Sequence, residues 1–141
     1  MNRDKLETIY NKYNLDKDDI FILKFGQKKK PIIRREGIEK IQKNLGIQIN
    51  YKLEKVSDDH KSCIVLGTGV IMGDGIAQQG QPPRPKHIIQ SFGECNPSNN
   101  TNNYPICIAE KRAKSRIVLQ MSGLYSEGIY SEDESEDFNN G

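Results

Sequence analysis

The chain has 141 residues, 35% of them apolar and 28% charged, with no tryptophan. That composition suits one soluble domain, long enough to bury roughly two thirds of the surface its unfolded form exposes, and argues against a disordered chain. No run approaches the roughly 18 apolar residues of a spanning helix, and the polar start MNRDKLET has no signal-peptide core, so a cytoplasmic protein without membrane contact is expected. The net charge of +2 hides a division: all 21 Lys and Arg and 13 of the 19 acids lie in residues 1–126, whereas the last fifteen residues hold six acids and no base, so a body of +8 precedes a tail of −6. A polyanion is the natural partner of such a body, and a solvated lysine-rich surface is the alternative.

Residues 3–14 place Leu6, Ile9, Tyr10 and Tyr13 at helical spacing, one stripe of a short amphipathic helix. The run Ile20 to Phe25 reads as extended and leads into the basic GQKKKP loop. A second helix is expected over 35–45, with Ile38, Ile41 and Leu45 on one side and Gly46 as the terminating glycine. From Ile47 the period becomes two, because Ile47, Ile49, Tyr51 and Leu53 alternate with Gln48, Asn50, Lys52 and Glu54. The turn SDDHK and the stretch GDGIAQQGQPPRP separate this strand from Cys63–Met72 and from Lys86–Cys95, which gives an antiparallel meander. After the loop NPSNNTNN, a long helix runs from Pro105 to about Leu124, about 30 Å at 1.5 Å per residue. The ending SEDESEDFNNG has the composition of a frayed or disordered terminus. The fold class is therefore α+β: a β-β-β meander packed by a long C-terminal helix, with helices at the N-terminal side.

The sequence AEKRAKSR in the long helix carries the densest cationic cluster. At about 100° per residue, Ile106, Ala109, Ala113, Ile117, Gln120 and Leu124 share the core face, and the alanines allow close approach to a sheet. Arg112 and Arg116 flank that face as i, i+4 neighbours, and Lys111 and Lys114 point further round. Arginines at a core margin can hold phosphates with paired N–H bonds, or can form salt bridges with Glu36, Glu94 or Glu110. Ile108 and Leu119 lie off the stripe, on the side of Arg112 and Ser115, and a helix apolar on two sides is covered on two sides, which points to a subunit contact. No aromatic residue interleaves with Lys111 to Arg116, so a strand held here would be held by its backbone with its bases free to pair.

Other chemistries find little support. Three cysteines, Cys63, Cys95 and Cys107, have no C-x-x-C spacing, and a zinc site from His60, Cys63, His87 and Cys95 has no knuckle motif behind it. GTGVIMGDG lacks the lysine of a phosphate-binding P-loop, neither histidine has a nucleophile or acid at motif spacing, and no acidic motif suggests a metal-dependent hydrolase using the tail and Glu94. No enzyme activity, metal or cofactor is expected.

Two stretches carry a family resemblance: KKPIIRREGIEKIQKNLGIQINYKLEKV, and SFGECNPSNNTNNYPICIAEKRAKSRIVLQMSGLYSEGIYSEDESEDF. With the order of elements they resemble the single-strand annealing proteins of the Rad-fifty-two type, phage members above all, over nearly the whole chain. The resemblance implies a β-β-β-α core assembled as a homo-oligomer, in rings or helical filaments, with single-stranded DNA in an outer positive groove between sheet and helix. By position it implies DNA contacts at Lys111, Arg112 and Arg116, with Lys114 beside them, and at Arg34 and Arg35 or Lys28, Lys29 and Lys30. The spacing of the helix cations differs by about a residue from eukaryotic members, and the stretch after Met72 is a Gly/Pro/Gln-rich insert. On this reading residues 1–126 are the annealing domain and 127–141 a flexible acidic tail that competes with DNA or docks a protein through Phe138. If phage-encoded, the protein would act in the host cytoplasm. The alternative is a protein-interaction module, such as a small phage inhibitor that sets its basic face on an acidic host protein.

Overall fold

A computed structural model describes residues 3–73, 85–97 and 105–134. The fold is α+β: two helices, Arg3–Tyr13 (α1) and Arg35–Leu45 (α2), and a three-stranded meander of Ile47–Val56 (β3), Cys63–Met72 (β4) and Pro85–Cys95 (β5) packed against the long helix Pro105–Ser122 (α3). A second, small sheet joins Ile20–Phe25 (β1), Lys28–Ile33 (β2) and Tyr130–Ser131 (β6) in the order β1-β2-β6. Among the described residues no helix is long and apolar enough to cross a membrane.

The apolar spacings act as the sequence leads one to expect. Ile9 and Tyr13 of α1 and Ile38 and Ile41 of α2 are buried in one cluster with Ile117, Val118, Leu119 and Leu124 of α3 and its C-terminal turn. Gly46 ends α2 in the left-handed conformation at φ 67°, and its N–H donates to the Lys43 carbonyl at 3.2 Å. Only glycine enters that region without a steric cost.

In the meander, Cys63 pairs with Cys95, Leu66 with Phe92, and Thr68 with Gln90, while Ile47 pairs with Ile71. Alternation puts Val65, Gly67, Gly69 and Gly93 beneath α3. Ala109, Ala113 and Ile117 of the helix, all fully buried, meet that glycine row. The approach is closest at Gly93, where an added Cβ would lie 1.9 Å from the Ala109 carbonyl oxygen and 2.6 Å from the Ala113 nitrogen. Both are helix backbone, which cannot swing aside, so any side chain at 93 would lift the helix from the sheet.

Four features differ from the sequence reading. The lysines of GQKKKP are not in a loop: Gly26 and Gln27 form a two-residue turn, and Lys28–Lys30 pair with Leu23–Phe25 in a hairpin. Leu119, with Val118, is covered by the chain's own α2, Ile33 and Ile129, so the second apolar side of α3 needs no subunit to cover it. The third difference concerns the acidic tail, whose first half is part of the body. Ile129 is wholly buried, Tyr130–Ser131 run parallel to Ile32–Ile33, and Asp133 is buried. The core stripe of α3 is also shorter than its periodicity, since Ile106 is 46% exposed and Gln120 faces solvent. The Gly/Pro/Gln-rich stretch 74–84, residues 98–104 and the tail beyond Glu134, with the proposed anchor Phe138, lie outside the described residues.

Candidate nucleic-acid interface

The four cations of α3 divide into two kinds. Arg112 is 2% exposed. Its Nε donates to the Asp133 carbonyl at 3.1 Å and its Nη1 to the Glu94 carbonyl at 2.9 Å. One turn on, the fork of Arg116 grips the Glu94 carboxylate with two bonds of 2.7 and 2.8 Å and also donates to the Phe92 carbonyl. Because β5 is an edge strand, its alternate carbonyls at 92 and 94 point away from the sheet, and the two arginines at i, i+4 supply their donors. The arginines therefore fasten α3 to the free edge of β5. The salt bridge with Glu94, one of the partners the sequence offered, is present, and Arg112 lies too deep to reach a phosphate at the surface. The Arg116 fork holds the Glu94 carboxyl below the usual carboxylate range, against burial, which raises it, and with further help from the charges of Arg116 and Arg112.

Lys111 and Lys114 face a different neighbour. Helix α3 lies over β4 and β5 and leaves the β3 side of the same sheet face open, so Tyr51 and Leu53, which alternation turns toward the helix, stay 37% and 48% exposed. A cleft of about 170 Å³ opens there between α2, β3 and α3. Arg35, Lys111 and Lys114 bring cations to it, Glu39, Glu110 and Asp133 bring carboxylates, and Tyr51 brings a ring. Lys114 Nζ pairs with Glu39 across the cleft at 3.2 Å. Lys111 has no ion-pair partner among the described residues. Burial, with the Glu110 charge adding to it, pushes the Tyr51 phenol up to about 12, so its hydroxyl stays protonated at neutral pH.

Arg35 is held by the tail. Its backbone N–H, at the start of α2, donates to Glu132 Oε1 at 2.8 Å, and its Nε donates to Asp133 Oδ1 at 2.8 Å. Asp133 Oδ2 accepts from Ser115 of α3 at 3.0 Å. The acids 132 and 133 thus cap a helix N-terminus, where negative charge is favoured, and tie α2 to α3. They compensate the Arg35 charge within the fold.

The remaining sequence candidates lie on the small sheet. Lys30 sits over the Tyr130 ring at 4.6 Å, and Arg34 over Phe21 at 4.6 Å. Lys28 and Lys29 lie at the tip of the hairpin, with Lys29 directly opposite Lys24. Like charges opposed across two strands repel, and neither Lys24, Lys28 nor Lys29 has an acidic partner among the described residues. Their mutual repulsion falls when a polyanion lies across them. The β2 strand leads from this tip to Arg34 and Arg35, which brings the hairpin lysines and the cleft into one continuous segment of chain.

Sequence reasoning missed Lys24 and Tyr51. The signal for Lys24 was the Gly26-Gln27 pair between two extended runs, which fixes a hairpin register. Tyr51 was placed on the inner face of β3, but only the path of α3 across the sheet decides that it is left uncovered. The cations of Arg112 and Arg116 were read on the right helix, whereas their partners, two carbonyls on an edge strand, leave no mark in sequence.

The opposite face of the meander has no described element over it. Leu66, Val70 and Ile64 are half-buried there, and Ile88 and Phe92 are each 53% exposed. The zinc reading loses its geometry as well, because His87 pairs with Ile71 at one end of the β4–β5 ladder and Cys95 with Cys63 at the other. Among the described residues no three His, Cys, Asp or Glu side chains are grouped to hold a metal ion. Comparison with protein families, with curated proteins and with solved structures finds no match to this chain.

Proposed function

We propose that this chain binds single-stranded DNA through its backbone, without catalysis, and promotes the pairing of complementary strands in recombination. The observation that carries this reading is the cluster of Lys24, Lys28 and Lys29 on one hairpin, with no acid among the described residues to neutralise them. Lys111 beside the cleft adds a fourth cation, and Tyr51 offers one ring against which a sugar can rest. Arg112, Arg116 and Arg35 then act as positioning residues that hold α3, β5 and α2 in place, and Lys114, Lys30 and Arg34 contribute field more than contact. The β-β-β-α arrangement is the one the family resemblance implies, and the face of the meander that carries Ile88 and Phe92, over which no described element lies, supports self-association into a ring or filament.

Salt dependence of binding to a labelled single-stranded oligonucleotide tests the grip. Four lysine–phosphate contacts give a slope of about −3 in log affinity against log salt, and a Lys24→Ala, Lys28→Ala, Lys29→Ala variant should fall to about −1. A slope near zero in the unaltered protein contradicts the reading.

The exposed Ile88 and Phe92 also favour a second reading, a protein-interaction module that sets this face or the basic hairpin on another protein. Mass in solution separates the two, since an annealing protein forms large assemblies and an inhibitor a monomer or dimer.

A further inference from the structure

Two of the three thiols have no part in the proposed grip, and they stand opposite one another. Cys63 is the first residue of β4 and Cys95 the last of β5, and they are direct register partners in the antiparallel ladder. Alternation sends both side chains to the helix side, where Cys63, 3% exposed, and Cys95, 1% exposed, form a small cluster with Val65 and Ala109. Directly opposed residues of an antiparallel pair have Cα atoms about 4.5–5.5 Å apart, within the span of about 4.4–6.8 Å that a disulfide bridges. The pair is the last rung of the β4–β5 ladder: Cys95 lies on the edge strand, and Cys63, beside the 57–62 turn, also pairs with Val56 at the end of β3.

We propose that Cys63 and Cys95 form a closable dithiol, a reversible intramolecular disulfide site at the rim of the sheet. The oxidant is a low-molecular-weight disulfide such as oxidised glutathione. One cysteine, as thiolate, attacks it to form a mixed disulfide and releases one small thiol. The second then attacks the protein sulfur of that mixed disulfide, closing the Cys63–Cys95 bond and releasing the second small thiol. Two protein thiols are oxidised and one small disulfide is reduced to two thiols, so the exchange balances.

Access comes through fraying of the terminal rung. Burial, with Cys95 adding to it, pushes the Cys63 thiol up, which makes the closed fold slow to react and the opened rung the reactive form. The bond would tie the ends of β4 and β5 together next to Glu94, whose carbonyl and carboxylate anchor Arg112 and Arg116. Oxidation would therefore lock the edge on which α3 is fastened, whatever the protein binds.

The experiment uses the full chain with Cys107→Ser, which removes the exposed third thiol on α3. The protein is equilibrated with oxidised and reduced glutathione in varied ratio, denatured with an alkylating agent, and weighed. The expected product has lost two hydrogens, takes up no alkyl groups, and melts about 5–10 °C higher than the reduced form, reverting on addition of dithiothreitol. A Cys63→Ser, Cys107→Ser variant should show no redox-dependent melting shift. Three results overturn the proposal: two alkylated thiols at every ratio, a persistent glutathione adduct that does not close, or disulfide-linked dimers in place of the internal bond.

Discussion

Replacing Arg112 with alanine separates the two roles its sequence position permits. The side chain is 2% exposed and donates to the Asp133 and Glu94 carbonyls at 3.1 and 2.9 Å. Its removal leaves two sheltered acceptors without these donors, at about 1–3 kcal/mol each, and empties the space of the guanidinium. The sum is about 3–5 kcal/mol, the usual loss when one member of a buried polar network is deleted. A domain of this size has about 5–15 kcal/mol in all, and each kcal/mol moves the midpoint by about 2–4 °C, so the melting temperature should fall by about 10–15 °C. Arg116→Ala should cost much less, about 1 kcal/mol, because its Glu94 partner is 42% exposed and water can replace the fork. Thermal melts and urea titrations followed by circular dichroism give both numbers, and binding of a labelled single strand at 10 °C, below both transitions, should stay within about threefold of the unaltered protein. If Arg112→Ala instead melts within about 3 °C of the unaltered protein while its affinity falls tenfold, Arg112 is a phosphate clamp and the packing argument is wrong.

Two further perturbations follow from the same contacts. A chain ending at Gly128 loses the buried Ile129 and the acceptors of Arg35, Ser115 and Arg112, so it should lose about 4 kcal/mol or more, and a midpoint equal to that of the full protein would contradict the docking of 129–133. Acid should destabilise the fold through Glu94, held low by the Arg116 fork, and through Asp19, where burial raises the carboxyl but Lys40 and the Asp16 backbone more than offset it. Both folded values lie below the unfolded ones, so the contribution is in place above the unfolded values and is lost as pH falls through the folded ones, below about pH 4. Urea midpoints between about pH 3 and 7 should show a shallower decline for Glu94→Gln, and an identical decline would exclude the ion pair as a source.

Periodicity made the main elements legible. The switch from Ile38, Ile41 and Leu45 to Ile47, Ile49, Tyr51 and Leu53 marks the passage from α2 to β3, and Ala109, Ala113 and Ile117 mark the face of α3 that meets the sheet. The small sheet was hidden because β6 has two residues and packs through Ile129 and Ser131 in a segment whose composition is that of a solvated tail. Composition reports the average of a segment, and one isoleucine with one buried aspartate is enough to dock it. The arginines show the same limit in the site. Their spacing told which turn of the helix they occupy, but their role depends on where the edge of β5 ends up, a long-range outcome of the strand order. Lysines are read more safely, since a hydrated ammonium seldom leaves the surface: Lys28 and Lys29 are exposed and Lys111 is half-buried.

The central claim, strand pairing driven by a lysine grip, is tested most directly by the rate at which two complementary dye-labelled oligonucleotides anneal at stoichiometric protein coverage. The full chain should accelerate pairing, and a Lys24→Ala, Lys28→Ala, Lys29→Ala, Lys111→Ala variant that melts at the same temperature should not. No acceleration by the unaltered protein, or acceleration retained in full by the lysine variant, would contradict the account.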